Sequence, residues 1–334
     1  MDRRSFLRNT TLASGILLLP DWLKAITTTS KNVRVVIIGA GFAGLAAAYK
    51  LHKEGISFII LESRNRIGGR VFSHKISDQL VIELGGEWVG NSHTRMQELC
   101  GEMNLTLENN QFETNLIYKN EFSPAGKWDY SPKWKQTFEK LIKDYADMGE
   151  SDKIALDKYD WWRYLVNNGC EGRDLDIREL MDSTDFGESI RHVSAFAALA
   201  EYAESSPKNE MDLKIKGGNG RFAVALANKI GNGNILQNHH VSKITQREKV
   251  LVECSDGSRF ECEQVICTTP TFALSRINFE PALPGEYVAA MNQLQYARIN
   301  KHAMHFGERF WKKENFDLIS DQGPHYFYHA TKNQ

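Results

Sequence analysis

Long apolar runs, a surplus of one charge and paired-cysteine spacings are all missing from this 334-residue chain. The longest apolar stretch near the start, Leu12 to Pro20, is too short for an ordinary transmembrane helix. Lysine and arginine total 41 against 42 aspartates and glutamates, so there is no basic surplus of the kind a nucleic-acid surface needs. The five cysteines, Cys100, Cys170, Cys254, Cys262 and Cys267, include no C-x-x-C, and their odd number excludes a fully paired disulfide framework. Cys254, Cys262 and Cys267 fall in strand-like runs and read as small apolar core residues. His239 and His240 are adjacent and would point to opposite faces of a strand; Tyr326, Phe327 and Tyr328 between His325 and His329 favour a strand that separates those two. The sequence therefore implies no metal site. It also contains no serine or cysteine elbow, no internal repeat and no low-complexity segment.

What is present starts at Val33. Val33 to Ile38 is a β-branched apolar run, as expected for a buried parallel strand. Gly39, Gly41 and Gly44 then fill G-x-G-x-x-G with Ala40, Phe42 and Ala43 between them, and Leu45 to His52 reads as a helix halted near Gly55. Phe58 to Leu61 reads as a second strand, closed by Glu62 about twenty residues after the fingerprint opens. The first glycine permits the tight turn, the second lets backbone approach a pyrophosphate, and the third lets helix and strand pack closely. The pyrophosphate sits on the helix N-terminus. Glu62 is placed to accept from ribose hydroxyls, and its charge disfavours a 2′-phosphate.

From Glu62 to Arg70 the chain reads E-x-R-x-R-x-G-G-R, with Arg64, Arg66, Gly68 and Gly69 inside it. This stretch resembles the second motif of the FAD-dependent amine oxidase family, which includes monoamine oxidases and L-amino acid oxidases. The resemblance implies that Gly69 and Arg70, with Arg64, bring further backbone N–H groups and guanidinium to the pyrophosphate; the alternative for Arg64 and Arg66 is a solvated basic loop, the reading taken for Arg66. Glu83 to Gly90 extends the resemblance: Gly85, Gly86, Glu87 and Trp88 match a family segment whose backbone approaches the isoalloxazine ring. Lys216 to Phe222 is similar to the segment that re-enters the cofactor domain, and Val241 matches a residue whose backbone contacts the adenine side. Lys301, with Phe310 and Trp311 downstream, matches a family strand in which a lysine holds a water near flavin N5 and aids reaction with oxygen.

The fold so implied is α/β: a FAD/NAD(P)-binding, Rossmann-like domain of the glutathione-reductase type, with an inserted helical and mixed-sheet substrate domain. The expected divisions are 1–32 signal and linker, 33–90 and 216–270 the cofactor domain, and 91–215 and 271–334 the substrate domain. Helical spacing marks Trp134 to Met148, Trp161 to Asn168 and Glu188 to Glu204, and Trp161, Trp162 and Phe196 are candidates for the border of a substrate channel. Strands are expected at 235–237, 241–244 and 265–267, with a hairpin turning at Asp256 and Gly257.

The implied chemistry is hydride removal from the carbon bearing a neutral amine, with noncovalent FAD as acceptor, O2 as reoxidant and H2O2 as product. A desaturase or protoporphyrinogen-oxidase-like activity shares the N-terminal motifs and remains an alternative. So does an inert flavin-binding fragment. The chain reaches Gln334 without the family's final glycine motif and helix, so a second chain completing the fold, and low stability of this chain alone, are expected. Asp2 to Arg8 resembles a twin-arginine export signal, pointing to a periplasmic or extracytoplasmic location, with the cytoplasm as the alternative.

Overall fold

A computed structural model describes residues 33–334. The twin-arginine expectation falls on residues 1–32, outside the described residues. The described chain divides into two compact units, one made of residues 33–69 with Ala223–Leu294, the other of Arg70–Phe222 with Gln295–Gln334. Relative to the expected divisions, residues 70–90 and 216–222 go with the second unit and 271–294 with the first.

In the first unit four strands lie parallel in the order Gln264–Cys267, Val35–Ile38, Phe58–Leu61, Ile235–Leu236. Both inner strands are buried at every position, which is why they read as unbroken apolar runs. Val36, Ile38, Ile59 and Leu61 join a core with Val241, Ile244, Val252 and Phe260, the inner face of a second sheet. That sheet is the hairpin Val250–Cys254 and Arg259–Cys262, extended by Val241–Gln246 and Asn278–Glu280. The helix Phe42–Lys53 links the first two parallel strands and buries Gly44, Leu45 and Ala48. Cys254 and Cys262 are core residues, but Cys267 is exposed, because it ends a strand with no outer neighbour in the sheet among the described residues.

The second unit contains a sheet ordered Tyr326–Tyr328, Phe316–Ser320, Glu113–Tyr118, Glu121–Ser123. A short hairpin, Ser73–Lys75 with Val81–Glu83, and the pair Leu107–Asn109 with Leu213–Ile215 complete its β structure. The helices Pro132–Asp147, Trp161–Asn167 and Ala195–Glu204 pack around Trp134, Leu141, Trp161, Leu165 and Leu199. Ser131, Asp160 and Ser194 cap their N-termini through side-chain oxygens. A further helix, Gly172–Phe186, was not legible as one because it buries Arg178 and Asp182 among its apolar residues. It ends at Gly187, left-handed at φ +69.

Two expectations change here. Residues 295–305, which carry Lys301, form no strand, since a strand exists only where a neighbour supplies its hydrogen bonds and none among the described residues pairs with this segment. Trp161 does not border a channel. It is fully buried in the helical core, donating its Nε1–H to Asp182 at 2.6 Å.

Candidate functional site: a glycine cradle and a lysine–glutamate cluster

In the first unit the glycine turn is closed from three sides. Gly39 has φ +102, and a Cβ there would stand 3.0 Å from Thr268 Oγ1. At Gly44 a Cβ would fall 2.0 Å from the Gly39 carbonyl oxygen, a collision no shift of a side chain relieves. Thr268 donates its hydroxyl to the carbonyl of Ile38 at 2.9 Å, strapping the turn to the neighbouring strand.

The second glycine pair docks on the first turn. Gly68 N–H donates to the Ala40 carbonyl at 2.8 Å, Gly41 and Gly68 form an isolated parallel bridge, and a Cβ on Gly69 would lie 3.0 Å from Gly41 Cα. Arg66, expected in a solvated loop, is half-buried and donates to the Gly69 carbonyl at 2.9 Å, so it braces this turn. Arg64 is exposed.

Glu62 is buried, and each carboxylate oxygen accepts one backbone N–H: Oε2 from Ala40 at 2.8 Å, Oε1 from Arg64 at 2.9 Å. It therefore ties the two glycine turns together; Oε1 also accepts the Ser63 hydroxyl at 3.4 Å, while Oε2 keeps a lone-pair position for a hydroxyl donor. The His239 N–H donates to the Glu62 carbonyl at 2.9 Å, which brings the stretch before Val241 alongside. Val241 itself buries its side chain and pairs with Cys254.

The helix Phe42–Lys53 starts at Gly41 with no side-chain cap and no acidic residue in its first turn, where Phe42 and Ala43 lie. An uncapped N-terminus behind two interlocked glycine turns, with a carboxylate at the end of the next strand, is a set of donors and acceptors that fits the pyrophosphate and ribose of FAD.

In the second unit Glu83 and Glu87 are both buried. Burial pushes the Glu83 carboxyl upward, opposed by its bonds from the Asn219 N–H and the Ser73 hydroxyl, each at 2.8 Å. Between the two acids, Gly85 passes so close to the chain at Arg70 that a Cβ would fall 2.2 Å from the Arg70 carbonyl oxygen. Gly86 has only an ordinary contact with Val71, so the two glycines, expected to act alike, differ. The Arg70 side chain is exposed.

Glu87, expected in the segment whose backbone approaches the cofactor, has its carboxylate bonded to protein donors. Lys301 Nζ donates to Oε2 at 3.0 Å, Lys214 Nζ donates to Oε1 at 3.2 Å, and the Tyr328 hydroxyl donates to Oε2. Lys301 also donates to the Gly85 carbonyl at 3.1 Å, and its ammonium lies 5.3 Å from the Trp88 ring and 5.5 Å from the Tyr328 ring. Burial, then the charge of Glu87, holds the Tyr328 phenol far above its usual range, so it stays a donor. Trp88 packs against Tyr328 with ring centroids 5.4 Å apart, and its Nε1–H is buried with no acceptor among the described residues.

Lys214 was missed because a lysine in the three-residue strand Leu213–Ile215 carries no motif. Its only sequence signal is position, immediately before the Lys216 to Phe222 segment. Asn219, also missed, donates Nδ2–H to the Glu87 carbonyl and accepts the Ile215 N–H at 2.9 Å, locking that segment to Glu87. A separate buried network lies in the helices. Asp182 accepts from Trp161, from Arg178 at 3.1 Å and from Tyr202 at 2.8 Å. Burial and the charge of Asp182 push Asp185 up to about 7.

Residues 42–333 match the family described as flavin containing amine oxidoreductase. The chain is 26% identical over 326 residues to a probable flavin-containing monoamine oxidase A of Dictyostelium discoideum, covering 87% of this chain and 69% of that protein. It is 24% identical over 313 residues to the flavin-containing amine oxidase B of Homo sapiens, covering 86% of this chain and 60% of that one. Among solved structures it resembles wild-type putrescine oxidase bound to putrescine, with TM-score 0.70, 25% identity, 79% of this chain and 64% of the other. The cyclohexylamine oxidase of Brevibacterium oxydans shares the fold at TM-score 0.69 and 22% identity, with 78% of this chain and 63% of that chain covered.

Proposed function

The chain belongs to the flavin containing amine oxidoreductases, and from that premise we propose that it binds FAD noncovalently and oxidises a neutral amine to an imine, with O2 as the final acceptor. The observation that carries the reading is the pair of interlocked glycine turns, Gly39 to Gly44 and Gly68 to Gly69, at an uncapped helix N-terminus. FAD, when bound, supplies the acceptor for the hydride leaving the amine-bearing carbon and passes the electrons to O2.

The chain's own residues bind and tune. Backbone N–H groups of Gly41, Phe42 and Ala43 take the pyrophosphate, Arg64 and Arg70 supply guanidinium from exposed positions, Glu62 takes the ribose, and Val241 meets the adenine through its backbone. Gly85, Gly86 and Trp88 are the residues that would hold the ring system, by the family resemblance. Lys301 holds a water and offsets negative charge developing on oxygen, acting from a fixed position. The proposal includes a further polypeptide covering Ile299, Met304 and Phe310, which are 65%, 69% and 75% exposed. It also includes export through Asp2 to Arg8, tested by replacing Arg3 and Arg4 with lysine and locating the product; unchanged export would refute that part.

The deciding experiment is a visible absorption spectrum of the purified chain, followed by acid precipitation. Oxidised-flavin bands with the colour released to the supernatant support noncovalent FAD. A protein that stays colourless with added FAD refutes binding by this chain alone.

A further inference from the structure

Glu87 presents two oxygens to three donors, and the two lysines divide them. Lys214 occupies Oε1 while Lys301 and Tyr328 share Oε2. Lys301 has three N–H donors and, among the described residues, uses two, on Glu87 Oε2 and the Gly85 carbonyl. Lys214 is itself anchored, donating to the Ala330 carbonyl at 3.3 Å, and its side chain is 9% exposed against 20% for Lys301. The titratable groups around the pair are Glu83, Glu87, Tyr328 and His329. Burial holds the Tyr328 phenol far above its usual range and His329 below its own, and pushes Glu83 upward.

We propose that Lys214 is a positioning residue for Lys301: by donating to Glu87 Oε1 it competes with Lys301 for that oxygen, which keeps Lys301 on Oε2 and the Gly85 carbonyl and leaves one Lys301 N–H for a ligand or water. Removing Lys214 frees Oε1, draws Lys301 onto the carboxylate and leaves the two acids facing one cation. Both effects make Lys301 more basic and less able to give its third N–H away. The significance for oxygen chemistry rests on the reading of Lys301 given above, but the contact itself does not.

The test is the rate at which acetyl N-hydroxysuccinimide acylates Lys301 in the full chain without added cofactor, followed by mass spectrometry. Only the neutral amine reacts, so each unit of pKa is tenfold in rate. The expected result is about a tenfold slowing in Lys214→Met, with Lys214→Arg within about twofold of the parent, since an arginine still fills Oε1. Unchanged or faster acylation in a folded Lys214→Met overturns the proposal. Because that variant strands a buried carboxylate and can fail to fold, the same comparison is made in a Glu87→Gln background. There the Met substitution is expected to slow acylation clearly less than it does with Glu87 present, and a slowing of equal size without Glu87 overturns the route through it. Loss of flavin binding would not alter either outcome, so failure of the functional reading and failure of this proposal are separable.

Discussion

Gly187 stands so close to Ile299 that a Cβ on it would fall 2.2 Å from Ile299 Cγ1. Gly187 closes the helix Gly172–Phe186 in a left-handed conformation, and Ile299 lies two residues before Lys301. The helix end is thus a seat for the segment that delivers the lysine. Gly187→Ala should cost about 1–3 kcal/mol from backbone strain and overlap, read as a lowered midpoint in denaturant unfolding. Ile299→Ala added to it should recover part of the loss, because Ile299 is largely exposed and its truncation opens no core cavity. No recovery would mean the strain at φ +69 is the whole effect.

Gly44→Ala should abolish flavin retention while leaving the rest of the chain folded. A methyl group 2.0 Å from the Gly39 carbonyl forces helix and turn apart, an overpacking cost of about 1–3 kcal/mol. That displacement falls where N–H groups must converge on a phosphate. The measurement is FAD titration followed by fluorescence quenching, and binding weakened by less than tenfold would contradict the cradle.

Lys301→Met should slow reoxidation of the reduced flavin by O2 by about 10²–10³-fold, the scale of removing one preorganised charge or donor. Reduction by amine should change far less. Stopped-flow mixing of the two half-reactions separates them. An equal loss in both would assign Lys301 to substrate binding or to structure.

Asp185 gives a pH signature unrelated to catalysis. Burial and Asp182 raise its folded pKa to about 7 from 3.8. Between those values the folded state holds a proton that the unfolded state has lost, so Asp185 costs stability progressively as pH rises from about 4 to 7 and most fully above 7. Asp185→Asn should therefore match the parent in stability near pH 4 and exceed it by about 1–2 kcal/mol at pH 8, after discounting for relaxation of the site. Denaturant curves across that range test it, and a gap that narrows with rising pH would reverse the sign.

The cofactor half of the fold was legible because its signals are local. A strand, a glycine turn, an Ala-rich helix and a closing acid occupy one short stretch, and Asp256 with Gly257 mark a hairpin that forms. Long-range partnerships were not legible. Lys214 and Asn219 acquire their roles only when the chain brings them to Glu87, over a hundred residues away in sequence. The helix Gly172–Phe186 hid behind a buried arginine and aspartate, whose mutual pairing lets them occupy positions that pattern reading assigns to apolar residues. Lys301 was found by resemblance, yet its segment forms no strand among the described residues, since pairing depends on a neighbour that local sequence does not reveal. Strands Leu107–Asn109 and Glu121–Ser123 are too short for alternation to register.

The strand Gln264–Cys267 and the hydroxyl of Thr268 close one side of the glycine turn that begins at Gly39. On a ribosome, which issues the chain from its N-terminus, that side does not exist until more than two hundred residues after the fingerprint has emerged. The fingerprint, helix and second strand can be made early, but the turn they form lacks its strap throughout most of synthesis. Cofactor capture is consequently a late event in the life of the nascent chain, and a stalled product ending before Thr268 would carry every residue of the G-x-G-x-x-G motif without a finished place to put a dinucleotide.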